Sequence, residues 1–149
     1  VAVLRDSALQ HNLTWMREFI AAYGVDLAPH GKTTMSPELF DMQLEAGAWG
    51  ITLATAPQVT DAYHHGVRRV LMANQLVDRG NMALISSLLE DKNFEFCCLV
   101  DSAANADALG AFFSARGQRL RLLLDSVIFP CAVPKSLAAQ SHRDKQPLC

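Results

Sequence analysis

The 149-residue chain is half apolar and 19% charged, and its 13 Lys and Arg against 15 Asp and Glu leave a formal net charge of −2. With that balance and no basic block, no nucleic-acid or membrane-surface partner is expected, and no apolar run approaches the roughly 20 residues of a membrane-spanning helix. The length suits one domain with a sizeable core, and the composition suits an ordinary α/β protein.

VAVLRDSALQ turns polar soon after it begins, so no secretory leader is expected, and the start at Val1 rather than Met raises the expectation of a longer parent protein. The first helix follows: Asp6 is expected to cap it, Leu9, Leu13, Met16 and Ile20 share one face, and Gly24 ends it. VDLAPHGK, residues 25–32, reads as the first strand. Alternation there places Asp26, Ala28, His30 and Lys32 on one face and Val25, Leu27 and Pro29 on the other. Ser36 then caps a helix with Pro37 at its first position, where a missing N–H costs nothing, and Gly47 closes it.

Four further apolar runs, WGITLAT, RRVLMAN, FEFCCLVD and LRLLLD, alternate with helical segments; Asp101-Ser102 opens the last helix and Gly117 closes it. Within the third of these, Cys97 and Cys98 point to opposite faces as small core residues. The four cysteines, Cys97, Cys98, Cys131 and Cys149, form no CxxC pair and no Cys-plus-His spacing. No metal site is expected from them, and they read as reduced thiols of a cytoplasmic protein.

Strands that are apolar on both faces and separated by helices imply a parallel sheet with right-handed crossovers. A repeat of roughly 19 to 26 residues suits either a (β/α) barrel or a doubly wound sheet, and both place ligands at the carboxyl ends of the strands. The residues at those ends are Lys32, Thr55, Asn74, Gln75, Asp101 and Asp125. Residues 126–149 break the rhythm: Pro130 and Pro134 disfavour a central strand, and the segment is expected to be a poorly ordered tail.

GKTT, residues 31–34, matches the end of a phosphate-binding loop, and FEFCCLVD imitates the strand whose Asp would hold Mg²⁺. Three residues oppose that reading. The motif's first glycine would fall on Asp26, and Pro29 removes an N–H from the cradle. A helix starting at Lys32 would also carry Pro37 in its interior, at a cost of about 3 kcal/mol. As a strand-end residue beside His30, Lys32 has another chemistry. A lysine confined near a second cation keeps a neutral amine able to condense with an aldehyde. The plain alternatives are a solvated loop lysine and a hydrogen-bonded histidine.

PHGKTTMSPELF, GAWGITLAT, GVRRVLMANQLV and CLVDS, with ALQHNLTWM before them, strongly resemble the pyridoxal-phosphate enzymes of the alanine-racemase-like barrel fold. Within that fold, the stretch over residues 1–125 is most similar to the D-serine dehydratase and D-threonine aldolase group, which includes amino-acid deaminases. The resemblance implies a partial (β/α) TIM-type barrel of about five βα units over residues 1–125 and a divergent tail over 126–149. It implies that Lys32 holds pyridoxal 5′-phosphate and acts as the base at Cα of a D-amino acid, with His30 tuning it and Thr52, Thr55, Asn74 and Gln75 lining the pocket. A D-serine-like substrate would give a keto acid and ammonia; a D-threonine-like one would give glycine and an aldehyde. A non-catalytic cofactor carrier or interaction fragment is the alternative of another class. A homodimer is one expected assembly. Family members continue past the fifth strand into a glycine-rich segment, a phosphate-binding loop and a β-rich domain, whereas no glycine follows Gly117 here. Truncation, a shifted frame or a divergent splice product would each explain that difference, and weak or absent activity of this chain alone is the expectation.

Overall fold

A computed structural model describes residues 3–125 of the chain. The expected tail at 126–149, with Pro130, Pro134, Cys131 and Cys149, lies outside the described residues. The elements run α1 (Asp6–Tyr23), α2 (Pro37–Glu45), β1 (Ile51–Leu53), α3 (Ala56–His64), β2 (Arg69–Gln75), α4 (Arg79–Leu88), β3 (Glu95–Val100), α5 (Ala103–Ser114) and β4 (Arg121–Leu124).

All strands are parallel, in the order β1-β2-β3-β4. Ile51 pairs with Val70 and Val70 with Phe96, while Leu53, Met72, Cys98 and Leu122 form a second row. Both rows pack into one core with Phe40 of α2, Val59 and Ala62 of α3, Met82 and Ile85 of α4, and Leu109 and Phe113 of α5. The four helices that follow the lysine segment therefore cover the same face of the sheet. A doubly wound sheet reverses its strand order and carries helices on both faces. Sequential order with one-sided cover is the arrangement of a (β/α) barrel arc.

The opposite face carries a row of His30, Thr52, Leu71, Cys97 and Arg121. Cys97 and Cys98 thus take opposite faces, as alternation requires. Burial pushes the Cys98 thiol up to about 12, with the neighbouring Cys97 adding to the shift, and burial also raises Cys97. Both thiols stay protonated in the fold, while an unfolded thiol ionises near about 8.5. The unfolded state therefore binds fewer protons above that value, and stability falls as pH rises from about 8.5 toward 12. The urea midpoint is expected to drop between pH 8 and pH 10 by less in a Cys98→Val variant than in the parent. An equal drop in the two proteins would show that this thiol does not contribute.

The expected first strand is reduced to a single bridge, at His30 opposite Thr52. Residues 27–31 still run beside β1: the Trp49 N–H donates to the Leu27 carbonyl, Thr52 N–H to Pro29, and Gly31 N–H to Thr52, each at 2.8 Å. Pro29 has no N–H to extend the ladder, which confines regular pairing to one residue.

Local signals set most helix ends. The Ser36 hydroxyl accepts from Leu39 N–H with Pro37 at the first position, and Ser102 accepts from Asn105 N–H. Gly24 and Gly117 leave their helices at φ 60° and 67°. Asp6 is not the cap expected of it. It is the first helical residue, and Arg5 before it makes no side-chain cap bond. None of the residues of α1 is buried, although Leu9, Leu13, Met16 and Ile20 do share a face, lining a cavity of about 230 Å³ against α2. Among the described residues, no helix is long and apolar enough to cross a membrane.

Candidate functional site

The carboxyl ends of the strands gather at one edge of the sheet, as in every parallel βα array. Lys32 lies there, after the segment that flanks β1. Its backbone is not extended: Gly31 O accepts from Met35 N–H at 2.9 Å, so Lys32, Thr33 and Thr34 form a turn, and Met35 sits at φ 44°. The helix begins only at Pro37, so Lys32 does not occupy the helix start that a phosphate-binding loop requires.

Gly31 places this turn. It is buried, and a Cβ on it would meet Phe40 and lie 2.7 Å from Ile51 Cγ2. Only a glycine lets the lysine segment approach the core this closely. His30 and Lys32 are both exposed. The confinement expected around the amine is thus not supplied by residues 3–125.

Thr52 is 2% exposed and lies on the open face beside His30. Its hydroxyl donates to the Ala28 carbonyl at 2.7 Å, which ties the lysine segment to β1. Thr55 is exposed and caps α3, accepting from Gln58 N–H at 3.4 Å. Asn74 lies where the pairing of β2 with β3 shifts register between Met72 and Gln75, an irregularity that re-aims side chains. Its amide donates to the Ala54 carbonyl at 3.2 Å and accepts from Gln75 N–H at 3.0 Å. The Gln75 side chain is half-buried and makes no hydrogen bond among the described residues. Asp101 and Asp125 end β3 and β4, and Asp125 N–H donates to the Val100 carbonyl.

Gln58, which the sequence reading passed over, connects these groups. Its Oε1 accepts from Ala54 N–H at 3.0 Å and its Nε2 donates to the Lys32 carbonyl at 3.3 Å. Part of the signal was present: Thr55-Ala-Pro-Gln58 has the spacing of a capping box, although the Gln58 amide accepts from Ala54, one residue before the cap.

The amine of Lys32, accessible at the carboxyl edge and in none of the ion pairs among the described residues, fits the aldehyde end of pyridoxal phosphate. The phosphate end fits less well. The amino ends of α2 to α5 are each closed by their own side chain, from Ser36, Thr55, Asp78 and Ser102. A phosphate bound at such an end would displace the cap, and Asp78 would repel it. At the opposite edge, Glu95 pairs with Arg69 at 3.1 Å and Arg121 at 3.3 Å, exposed ion pairs of small energetic weight.

No family model matches the chain. Among curated proteins it is 28% identical over 124 residues to D-threo-3-hydroxyaspartate dehydratase of Delftia sp. strain HT23, and 25% identical over 123 residues to D-threonine aldolase of Arthrobacter sp.. Each match takes in 83% of this chain and 32% of the relative, so the chain spans about a third of their length. Of solved structures, D-threonine aldolase from Filomicrobium marinum superposes with a TM-score of 0.75 over 81% of this chain and 32% of its own, at 23% identity. The Delftia sp. HT23 dehydratase superposes at 0.66 over 78% of this chain and 30% of its own, at 28% identity. The chain is thus homologous to D-threo-3-hydroxyaspartate dehydratase and D-threonine aldolase, and it has the fold of the alanine-racemase-like, fold-type III pyridoxal-phosphate family to which they belong.

Proposed function

We propose that this chain is the lysine-bearing part of a pyridoxal-phosphate-dependent lyase acting on D-amino acids, of the D-serine dehydratase or deaminase type. The single observation that supports it most is the position of Lys32. It follows the segment paired to β1, at the edge where parallel βα arrays bind ligands, inside the stretch shared with both homologues. When bound, the cofactor supplies an electron sink for the carbanion formed at Cα.

The residues of this chain supply the remaining parts. The Lys32 amine would hold the cofactor by its aldehyde end and would serve as the base for the proton at Cα. His30, exposed and paired with Thr52 two residues before the lysine, would tune that amine. Thr52 and Asn74 donate to the Ala28 and Ala54 carbonyls, so they would hold the backbone around the site rather than donate to a ligand. Gln75, whose side-chain amide makes no hydrogen bond among the described residues, would offer a polar group to a ligand at the end of β2. Loss of a β-hydroxyl would yield a keto acid and ammonia. A D-threonine-aldolase-type cleavage is the second reading, since one of the two curated homologues carries that name.

The full chain titrated with pyridoxal phosphate is expected to develop a visible absorbance band that Lys32→Ala abolishes, and borohydride should fix the cofactor to Lys32 alone. A band of equal strength in the alanine variant would end the assignment. Ammonia release from D-serine separates the deaminase from the aldolase, which releases glycine instead. Cofactor binding without either product would favour a carrier.

A further inference from the structure

Lys32 stands at the point where backbone support runs out. The pairing with β1 ends at Gly31 N–H to Thr52 O, and the next residues form an exposed turn closed by Met35 in the left-handed region. Among the described residues, the carbonyl of Lys32 receives one side-chain bond, and it comes from Gln58. The same amide holds Ala54 N–H, and Ala54 O holds the Asn74 amide. The planar head of Gln58 therefore joins the lysine turn to the loop after β1, and Asn74 in turn joins that loop to the end of β2. Only an amide offers a donor and an acceptor there; a carboxylate would accept from Ala54 N–H but would set an oxygen against the Lys32 carbonyl.

We propose that Gln58 is a positioning residue for Lys32: its amide pins the lysine turn to the first βα loop and so sets where the amine meets an aldehyde. This rests on the reading of Lys32 as the cofactor lysine. Two variants separate positioning from mere support of α3. Gln58→Met removes both bonds at similar volume. Gln58→Glu keeps the acceptor toward Ala54 N–H and loses only the donor to Lys32.

The test measures two quantities in the full chain: pyridoxal phosphate affinity from the absorbance titration, and hydrogen exchange at the Ala54 amide and at the core amides of Val70 and Met72. Both variants are expected to bind the cofactor about tenfold more weakly, the value of one hydrogen bond. Ala54 should lose protection in Gln58→Met and keep it in Gln58→Glu, with the core amides unchanged. If Gln58→Glu binds within twofold of the parent, the donor bond does not position the lysine and the proposal fails while the Lys32 assignment stands. Loss of core protection in Gln58→Glu would assign Gln58 to stability and overturn the proposal equally. A parent chain with no Lys32-dependent band would remove the Lys32 assignment itself, and the proposal with it.

Discussion

Replacing Gly31 with alanine is expected to destabilise the protein by about 3 kcal/mol, the upper range for forcing a methyl into a packed core. The new Cβ would meet the ring edge of Phe40, with Cζ at 2.9 Å, and Ile51 Cγ2 at 2.7 Å. Neither can give way easily, since Phe40 is 2% exposed and Ile51 is fully buried. The backbone cannot retreat either, because Gly31 N–H is bonded to Thr52 O and its carbonyl to Met35 N–H. Nothing about φ demands glycine here; the requirement is space. Urea denaturation gives the loss directly. Shortening the obstacle with Phe40→Leu should make the alanine less costly, with a coupling of about 1 kcal/mol between the two sites. A Gly31→Ala protein within 0.5 kcal/mol of the parent would contradict the close approach. Because Gly31 adjoins Lys32, the alanine variant should also bind the aldehyde less tightly, and Phe40→Leu should restore part of that affinity.

Phe113→Ala should cost about 3–5 kcal/mol, as for other large-to-small changes at buried aromatic sites. Phe113 is 2% exposed and projects from α5 with Leu109 and Phe112 into the shared core. Its ring meets that of Phe112 edge-on at 5.2 Å, and Arg116 lies 3.6 Å over the Phe112 ring centroid. Truncation would leave a cavity between α5 and the sheet. The internal comparison is Trp15→Ala on α1, where the residue is 56% exposed and, among the described residues, its ring stacks on Phe19 at 5.5 Å. That larger deletion should change stability by less than 1 kcal/mol. Equal losses at the two sites would mean that α1 is held by contacts as extensive as those of α5.

Several features were written locally and could be read without coordinates. Ser36-Pro37, Asp101-Ser102, Gly24 and Gly117 act on the backbone within a few residues of themselves, and they mark helix ends where expected. The apolar runs at 49–55, 68–74, 94–101 and 120–125 became β1 to β4 for the same reason: each carries its own alternation. Two local readings failed. Pro29 interrupts what looked like a full strand, and Arg5 rather than Asp6 precedes α1 because a cap needs an extended backbone that Asp6 does not adopt.

What the residues alone determined is the alternation of strand and helix, the rejection of a phosphate-binding loop, and the placing of Lys32 at a strand's carboxyl end. The barrel-type arrangement was beyond composition and spacing, because a barrel and a doubly wound sheet share the same βα alternation and differ in strand order and in which faces the helices cover. Only the tertiary structure decided that order, and it alone shows that Thr52 and Asn74 spend their polar groups on neighbouring backbone. It also joined Gln58 to the Lys32 carbonyl across 26 residues of chain, and no local preference encodes a bond of that span. Capping and periodicity are energies of adjacent residues, whereas the lysine's support comes from packing that exists only once β1 and α3 have met.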